Sequence, residues 1–269
     1  MRDPVTTSPR SGAIATAPSS ALAPATILAF ETAGSNCSAV VARGGVVLAE
    51  ERRPLRHGHG EMLLPMIERV TIASGLPRRE IDTVAVAVGP GGFTGIRVGL
   101  AAASGIALAL GARLVGVSSF EAVVAGVIER DDGVGRGSLL VALDSRRADF
   151  YVQLFALDHA ARCAAALAAP QAVLPDRLTE YLAGYLAEVG GGAPLLIAGD
   201  AADAAAAALE PGAALRVAHH SAPDALGVAA AARQRLHAAD AGEPVRPVYL
   251  RPPDVTLPAR RRPLPAAAP

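Results

Sequence analysis

Apolar residues in this chain fall into short unbroken runs, separated by polar, glycine-bearing turns and alternating with stretches of helical periodicity. Ile27-Leu28-Ala29-Phe30 is the first run, closed by Glu31 and a polar turn over residues 32–36. Residues 37–42 and 46–51 read as two strands about Arg43-Gly44-Gly45, with a polar loop over 52–60. From Glu61, Leu63, Leu64, Ile67 and Val70 share one helical stripe; Pro65 lies inside it and predicts a kink or an early turn. Ser74-Gly75-Leu76-Pro77 stops that helix. A buried strand over 84–88 leads through a glycine-rich turn into residues 96–110, a helix with almost no polar face. A strand over 114–117 and a helix to Ile128, capped by Ser118 or Ser119, complete the first series.

The pattern then restarts. Residues 130–137 are charged and glycine-rich, and the apolar run 139–143 ends in Asp144 as the first ends in Glu31. Residues 149–157 form the second strand of a hairpin, 175–189 a helix, 195–198 a strand. Gly199-Asp200 leads into an alanine-rich helix, and 223–239 form a further one. Two series of hairpin plus helix–strand alternation predict an α/β protein of two similar subdomains, 26–129 and 130–251. Residues 1–25, rich in Ser, Thr, Pro and Ala, read as a disordered extension rather than a transit peptide, and 252–269 as a Pro/Arg-rich tail.

Composition narrows the chemistry. All 25 basic residues are arginine, so no lysine is available for a Schiff base or a P-loop. They balance 25 acids, so no global field steers nucleic acid. Two cysteines, Cys37 and Cys163, make neither a disulfide framework nor a zinc set, which suits a reducing cytosol. The longest apolar run, 98–110, is shorter than the ~20 residues that span a bilayer, so no membrane association is expected.

The centre of the chain is Gly89-Pro90-Gly91-Gly92-Phe93-Thr94-Gly95-Ile96-Arg97-Val98-Gly99. Its glycines force a tight turn between strand and helix, and Thr94 is placed to cap that helix. Such a turn either cradles a phosphate or lets strand and helix pack closely, and Ile96-Arg97 stand where a P-loop has Lys-Ser/Thr. Beyond it Gly95, Gly99, Ala103, Ala107 and Gly111 form a stripe of small residues at every fourth position. That stripe predicts close approach of another helix; the Leu63/Leu64/Ile67/Val70 helix and a second molecule are the expected occupants, the alternative being that the chain covers both helices itself.

The central motif resembles the GPGSFTGxRxG of the bacterial TsaB family, also called YeaZ. His59-Gly60-Glu61-Met62-Leu63-Leu64-Pro65, Leu114 to Glu121, Asp144-Ser145-Arg146-Arg147 and Val248-Tyr249-Leu250-Arg251 extend the resemblance over about residues 27–251. Two departures stand out: Glu31-Thr32 where the family commonly has Asp-Thr, and His59-Gly60-Glu61 where it has His-Ser-Glu.

The resemblance implies the two-subdomain actin/Hsp70/hexokinase-like fold, built on a ribonuclease H-like core. It also implies a noncatalytic, cytoplasmic subunit that binds and activates the threonylcarbamoyltransferase TsaD, through the two N-terminal helices, with the ATPase TsaE as third member. TsaD then forms N6-threonylcarbamoyladenosine beside the tRNA anticodon. On this reading tRNA is held only through the complex, the lone chain pairs with itself, and no cofactor is needed, with nucleotide at the partner interface left open. The rival reading is an independent ATP-dependent kinase or hydrolase using Glu31 and Asp144, against which stand the missing lysine and the single glycine of Gly199-Asp200. His57, His59 and Glu61 alternate as metal ligands would, but a solvated loop fits them as well. A peptidase would need a nucleophile with a positioned base, and none is evident.

Overall fold

The computed structural model describes residues 24–55, 57–130, 136–158, 163–189, 195–209, 215–218, 222–237 and 244–251. The extension over 1–23, most of the 130–137 linker and the tail beyond 251 lie outside them.

The first series is β1 (Thr26–Glu31), β2 (Asn36–Arg43), β3 (Val46–Pro54), α1 (His59–Ala73), β4 (Thr83–Ala87), α2 (Phe93–Leu110), β5 (Arg113–Val117) and α3 (Ser119–Arg130). The second is β6 (Arg136–Asp144), β7 (Phe150–Asp158), β8 (Cys163–Ala166), β9 (Gln171–Val173), α4 (Leu178–Val189), β10 (Leu195–Ala198), α5 (Ala202–Ala208), β11 (Leu215–Val217) and α6 (Ala225–His237). The sheets run β3-β2-β1-β4-β5 and β11-β10-β6-β7-β8, with β9 also on β7. In each, the first strand of the series pairs antiparallel with its hairpin partner and parallel with the strand that follows the first helix. The duplication read from the sequence is therefore a duplication of topology.

The central strands of each sheet are covered on both faces, which is why they read as continuous apolar runs. Leu28, Phe30, Val84 and Val86 pack under α1 and α2 with Leu63, Met66, Ile67, Val70, Ala103 and Ala107. The alternate residues Ile27, Ala29, Ala85 and Ala87 face α6, through Val228 and the alanines around it. In the second sheet Leu139, Val141 and Leu143 face Phe120, Val123 and Val127 of α3, while Leu140 and Ala142 lie under α4 and α5. The last helix of each series thus covers the other series' sheet, and α3 and α6 pack together between them. This is the two-subdomain actin/Hsp70/hexokinase-like arrangement.

Local differences from the sequence reading have physical causes. Ser118 is the cap of α3: its Oγ accepts from the Glu121 N–H at 3.1 Å, and Glu121 Oε2 accepts from the Ser118 N–H at 2.8 Å, a reciprocal pair. Thr94 is not a cap. Gly92 is extended and its N–H is spent on the Ala33 carbonyl at 2.7 Å, so α2 starts at Phe93 and Thr94 sits exposed in its first turn. The earlier start gives α2 18 residues at mean hydropathy 1.6, enough by length and composition to cross a membrane, where the shorter run expected was not. Strand β3 continues to Pro54, into the stretch read as loop, and α1 runs on through Pro65. Strands β8, β9 and β11 carry no run that announced them.

Candidate functional site

The β1–β2 turn, the glycine turn and the first turns of α1 and α2 meet at one end of the first sheet. Thr32 Oγ1 donates to the Gly95 carbonyl at 2.8 Å, and Ala33 accepts from Gly92. The contact is so close that a Cβ on Gly95 would stand 1.9 Å from the Thr32 carbonyl oxygen, and one on Gly99 2.6 Å from its Oγ1. From Gly95 to Ala107 the stripe of small residues therefore seats the chain's own β1–β2 turn and sheet, while Gly111 caps α2 in the open. Gly95, Gly99, Ala103 and Ala107 are all buried, as are Leu63, Ile67 and Val70 of α1. This corrects the expectation that these residues meet a second molecule: within the fold they have no free surface left to offer.

Leu64 is the exception in that set. It is 56 % exposed, on the outer face of α1 with Ile72 at 69 %. The outer face of α2 carries Arg97, Ala101, Ser104, Gly105 and Leu108, the last 86 % exposed. Only 28 % of α2 is buried, although its composition is that of a core helix. α1 and α2 pack side by side, so these outer residues border one surface.

Glu31 and Asp144 end the central strands β1 and β6 as expected, and their environments differ. Glu31 is wholly buried; its Oε1 accepts from the Ala33 N–H at 2.5 Å and the Gly34 N–H at 2.7 Å, while Oε2 has no partner among the described residues. Burial pushes its carboxyl up to about 8; the two N–H bonds pull the other way, and the charges of Asp200 and Asp224 add to the rise. At neutral pH it is a neutral acid folded onto its own turn. Asp144 is half exposed, accepts from the Arg146 N–H at 2.7 Å and gives its own N–H to Asp200 at 2.9 Å. Burial holds the Asp200 carboxyl up as well, and the Asp144 charge acts in the same direction. Arg146 spans the two subdomains by donating to the Gly34 carbonyl at 3.1 Å.

His57, His59 and Glu61 line a cleft of about 490 Å³ with residues 32–34, the start of α2 and Arg146. They do not converge: His57 and Glu61 are exposed, while His59 Nε2 is spent on the Asn36 carbonyl at 3.3 Å. Burial holds the His59 imidazole below its ordinary value, and the charges of Arg146 and His57 push the same way. No group of three or more His, Cys, Asp or Glu able to hold a metal occurs among the described residues.

On the other side of the glycine turn, residues 244–251 return to the first subdomain. The Val248 N–H bonds the Val88 carbonyl at 2.8 Å, and the Tyr249 ring lies 5.4 Å from that of Phe93. Arg251 pairs with the buried Asp149. The sequence offered no local signal for this return, since Tyr249 and Phe93 are far apart along the chain.

Comparison with known proteins agrees with this architecture. The structure of YeaZ from Pseudomonas aeruginosa superposes with a TM-score of 0.70, at 22 % identity, over 84 % of this chain and all of that one, which shows the fold. Among curated proteins, the tRNA threonylcarbamoyladenosine biosynthesis protein TsaB of Escherichia coli is 33 % identical over 125 residues, 46 % of this chain and 52 % of that protein. TsaB of Bacillus subtilis is 28 % identical over 130 residues, 48 % of this chain and 55 % of its own length. The matches thus span about half the length of these curated relatives. The family model described as TsaD, tRNA N6-adenosine threonylcarbamoyltransferase, matches residues 40–253, most of the chain. With that match over most of its length, the chain belongs to the family described as TsaD, tRNA N6-adenosine threonylcarbamoyltransferase, and within it is similar to the TsaB and YeaZ proteins.

Proposed function

We propose that this chain is a noncatalytic scaffold and activator in the formation of N6-threonylcarbamoyladenosine in tRNA, acting by binding a TsaD-type subunit. The outer faces of α1 and α2 are the docking surface. One observation carries the reading: an 18-residue helix of core composition leaves its outer face, with Leu108 at 86 % exposure, in water. Exposed apolar surface of this kind marks an interaction site. A TsaE-type ATPase joins the same assembly, and without a TsaD-type partner the surface pairs with a second copy of the chain. Contacts fall to Leu64, Ile72 and Leu108, with Leu63, Ile67, Val70, Gly95, Gly99, Ala103 and Ala107 holding the two helices in place from within.

The test is partner pull-down and reconstituted tRNA modification with Leu108→Arg and Leu64→Arg, beside a melting curve for each. Lost association with unchanged melting supports the reading; unchanged association overturns it. The rival, an ATP-dependent kinase or hydrolase, draws on Glu31 and Asp200 lying near Gly34, with the Asp144 N–H bonded to Asp200. A buried, protonated Glu31 bonded to its own turn is poorly suited to hold a cation beside phosphates. Steady nucleotide turnover by the purified chain would restore the rival.

A further inference from the structure

The cleft beside the glycine turn adjoins the N-terminal end of α2, with Phe93 in its lining and Arg97 on its rim. It encloses about 560 Å³ between three segments remote in sequence: residues 90–93, residues 145–147 with Tyr151, and residues 248–251. A stack of planar groups stands on its rim. The Arg97 guanidinium lies 3.8 Å from the centre of the Phe93 ring, Phe93 and Tyr249 are tilted by 34° at 5.4 Å, and Arg97 Nε donates to the Tyr249 hydroxyl at 3.3 Å. The chain has no Trp, five Phe and four Tyr, yet two of these rings are left 44 % and 40 % exposed at this one point. Arg146, Arg147 and Arg251 line the cleft in a chain whose net charge is zero. Asp149 is paired with Arg251 and Ser145, and Asp144 lies 3.9 Å from the Arg146 guanidinium. Nine residues beyond Arg251 the sequence carries Arg260-Arg261-Arg262.

We infer that this cleft binds a single-stranded nucleic-acid segment, with a base stacked on the exposed Phe93–Tyr249 rings and adjacent phosphates against Arg146 and Arg147. Aromatic faces accept any base, and arginines beside them follow the backbone. An acidic peptide would engage the arginines but would leave the ring stack without a use. A single stacking platform gives weak binding to the lone chain, so the contact adds to a larger assembly rather than replacing it. It rests on Tyr249, Arg146 and Arg147, none of them among the docking contacts Leu64, Ile72 and Leu108, so either can fail without the other.

The experiment is fluorescence anisotropy of the full chain with a labelled single-stranded oligoadenylate of about ten nucleotides, against blunt duplex RNA and AMP, at low and moderate salt. Saturable binding to the single strand is expected, with weaker binding to duplex and AMP. Tyr249→Leu, which keeps apolar contact but removes the ring, should weaken it about tenfold, and Tyr249→Phe should restore it. Arg147→Ala should lower the salt slope by about one. Absence of saturable binding, equal binding to duplex, or an affinity untouched by Tyr249→Leu while melting falls would overturn the inference. The last result would make the stack a clip for the C-terminal segment.

Discussion

In the first half of the chain the helix after the central parallel strand, α2, runs 18 residues; its counterpart in the second half, α5, runs 7. Both press small residues onto their sheet, Gly95, Gly99, Ala103 and Ala107 in one and Ala202 and Ala205 in the other. Their outer faces differ. That of α5 carries Asp203 and Ala204, whereas that of α2 ends in Leu108 beside the exposed Leu64 and Ile72 of α1. The strand ends differ in the same sense, with Glu31 sealed under its own turn and Asp144 open to solvent. Duplicated topology thus fixes what faces the sheets and leaves the outward chemistry of each half free to diverge. The exposed apolar residues Leu64, Ile72 and Leu108, on which the proposed docking rests, all lie in the first half.

The largest expected effect tests the inner face. Leu63 is 1 % exposed, packed in the same cluster as Phe30, Val84 and Ala103. Leu63→Arg would bury an unpaired charge and should cost about 4 kcal/mol or more, seen as a collapse in melting temperature or soluble yield. Gly95→Leu should do the same by driving a side chain into the Thr32 carbonyl. Normal melting of either variant would erase the distinction between inner and outer faces.

Glu31→Gln is next and acts through pH. The folded-state carboxyl titrates near 8 against an ordinary 4.5, so the folded state holds the proton more tightly than the unfolded one. That contribution to stability is complete below pH 4.5, declines as pH rises, and is gone once pH passes about 8. At ~1.4 kcal/mol per pH unit the window holds a few kcal/mol. The substituted amide is neutral throughout and its oxygen can still accept the two N–H bonds, so the variant should lose the Glu31 part of the fall in stability between about pH 5 and 8, leaving the contributions of Asp200 and His59. A variant keeping the native slope would place the titration elsewhere.

What the sequence disclosed follows how local each cause is. The runs at 27–30, 84–88 and 195–198 were legible because strands covered on both faces carry no polar alternation. Strand β8 was not, since Cys163–Ala166 is mostly alanine and is placed by its register on β7. The small-residue stripe was legible as a close approach, yet its occupant was not: the deciding residue, Thr32, lies 63 positions from Gly95. For the same reason the Phe93–Tyr249 pair had no signal in either segment alone.

A smaller effect, of opposite sign in two assays, sharpens the reading of α2. A Cβ on Gly105 would meet nothing within 4 Å in the lone chain. Gly105→Leu should therefore stabilise the isolated chain by about 0.5–1 kcal/mol through helix propensity. If a partner helix lies over this face, the same side chain overpacks the contact and should lower affinity about tenfold. Higher melting with unchanged association would move the docking surface off this part of α2.

Asp144→Asn should do least. The carboxylate is half exposed, and its ion pair with Arg146 spans 3.9 Å, a geometry worth a few tenths of a kcal/mol at most. The shorter bond, from the Arg146 N–H at 2.7 Å, can be accepted by an amide oxygen as well. Against the small loss stands a small gain, since removing this charge eases ionisation of Asp200, whose carboxyl it helps to hold up. The two offset, and stability should stay within about 0.5 kcal/mol of wild type. Glu31→Gln and Asp144→Asn, made at equivalent strand ends, should therefore differ sharply in their effect on melting at neutral pH. Equal and large effects would mean that the two ends work as a pair. Steady nucleotide turnover that Asp144→Asn abolishes would make this strand end catalytic, and the contrast between the halves would then describe an enzyme's two lobes rather than a scaffold with one sticky face.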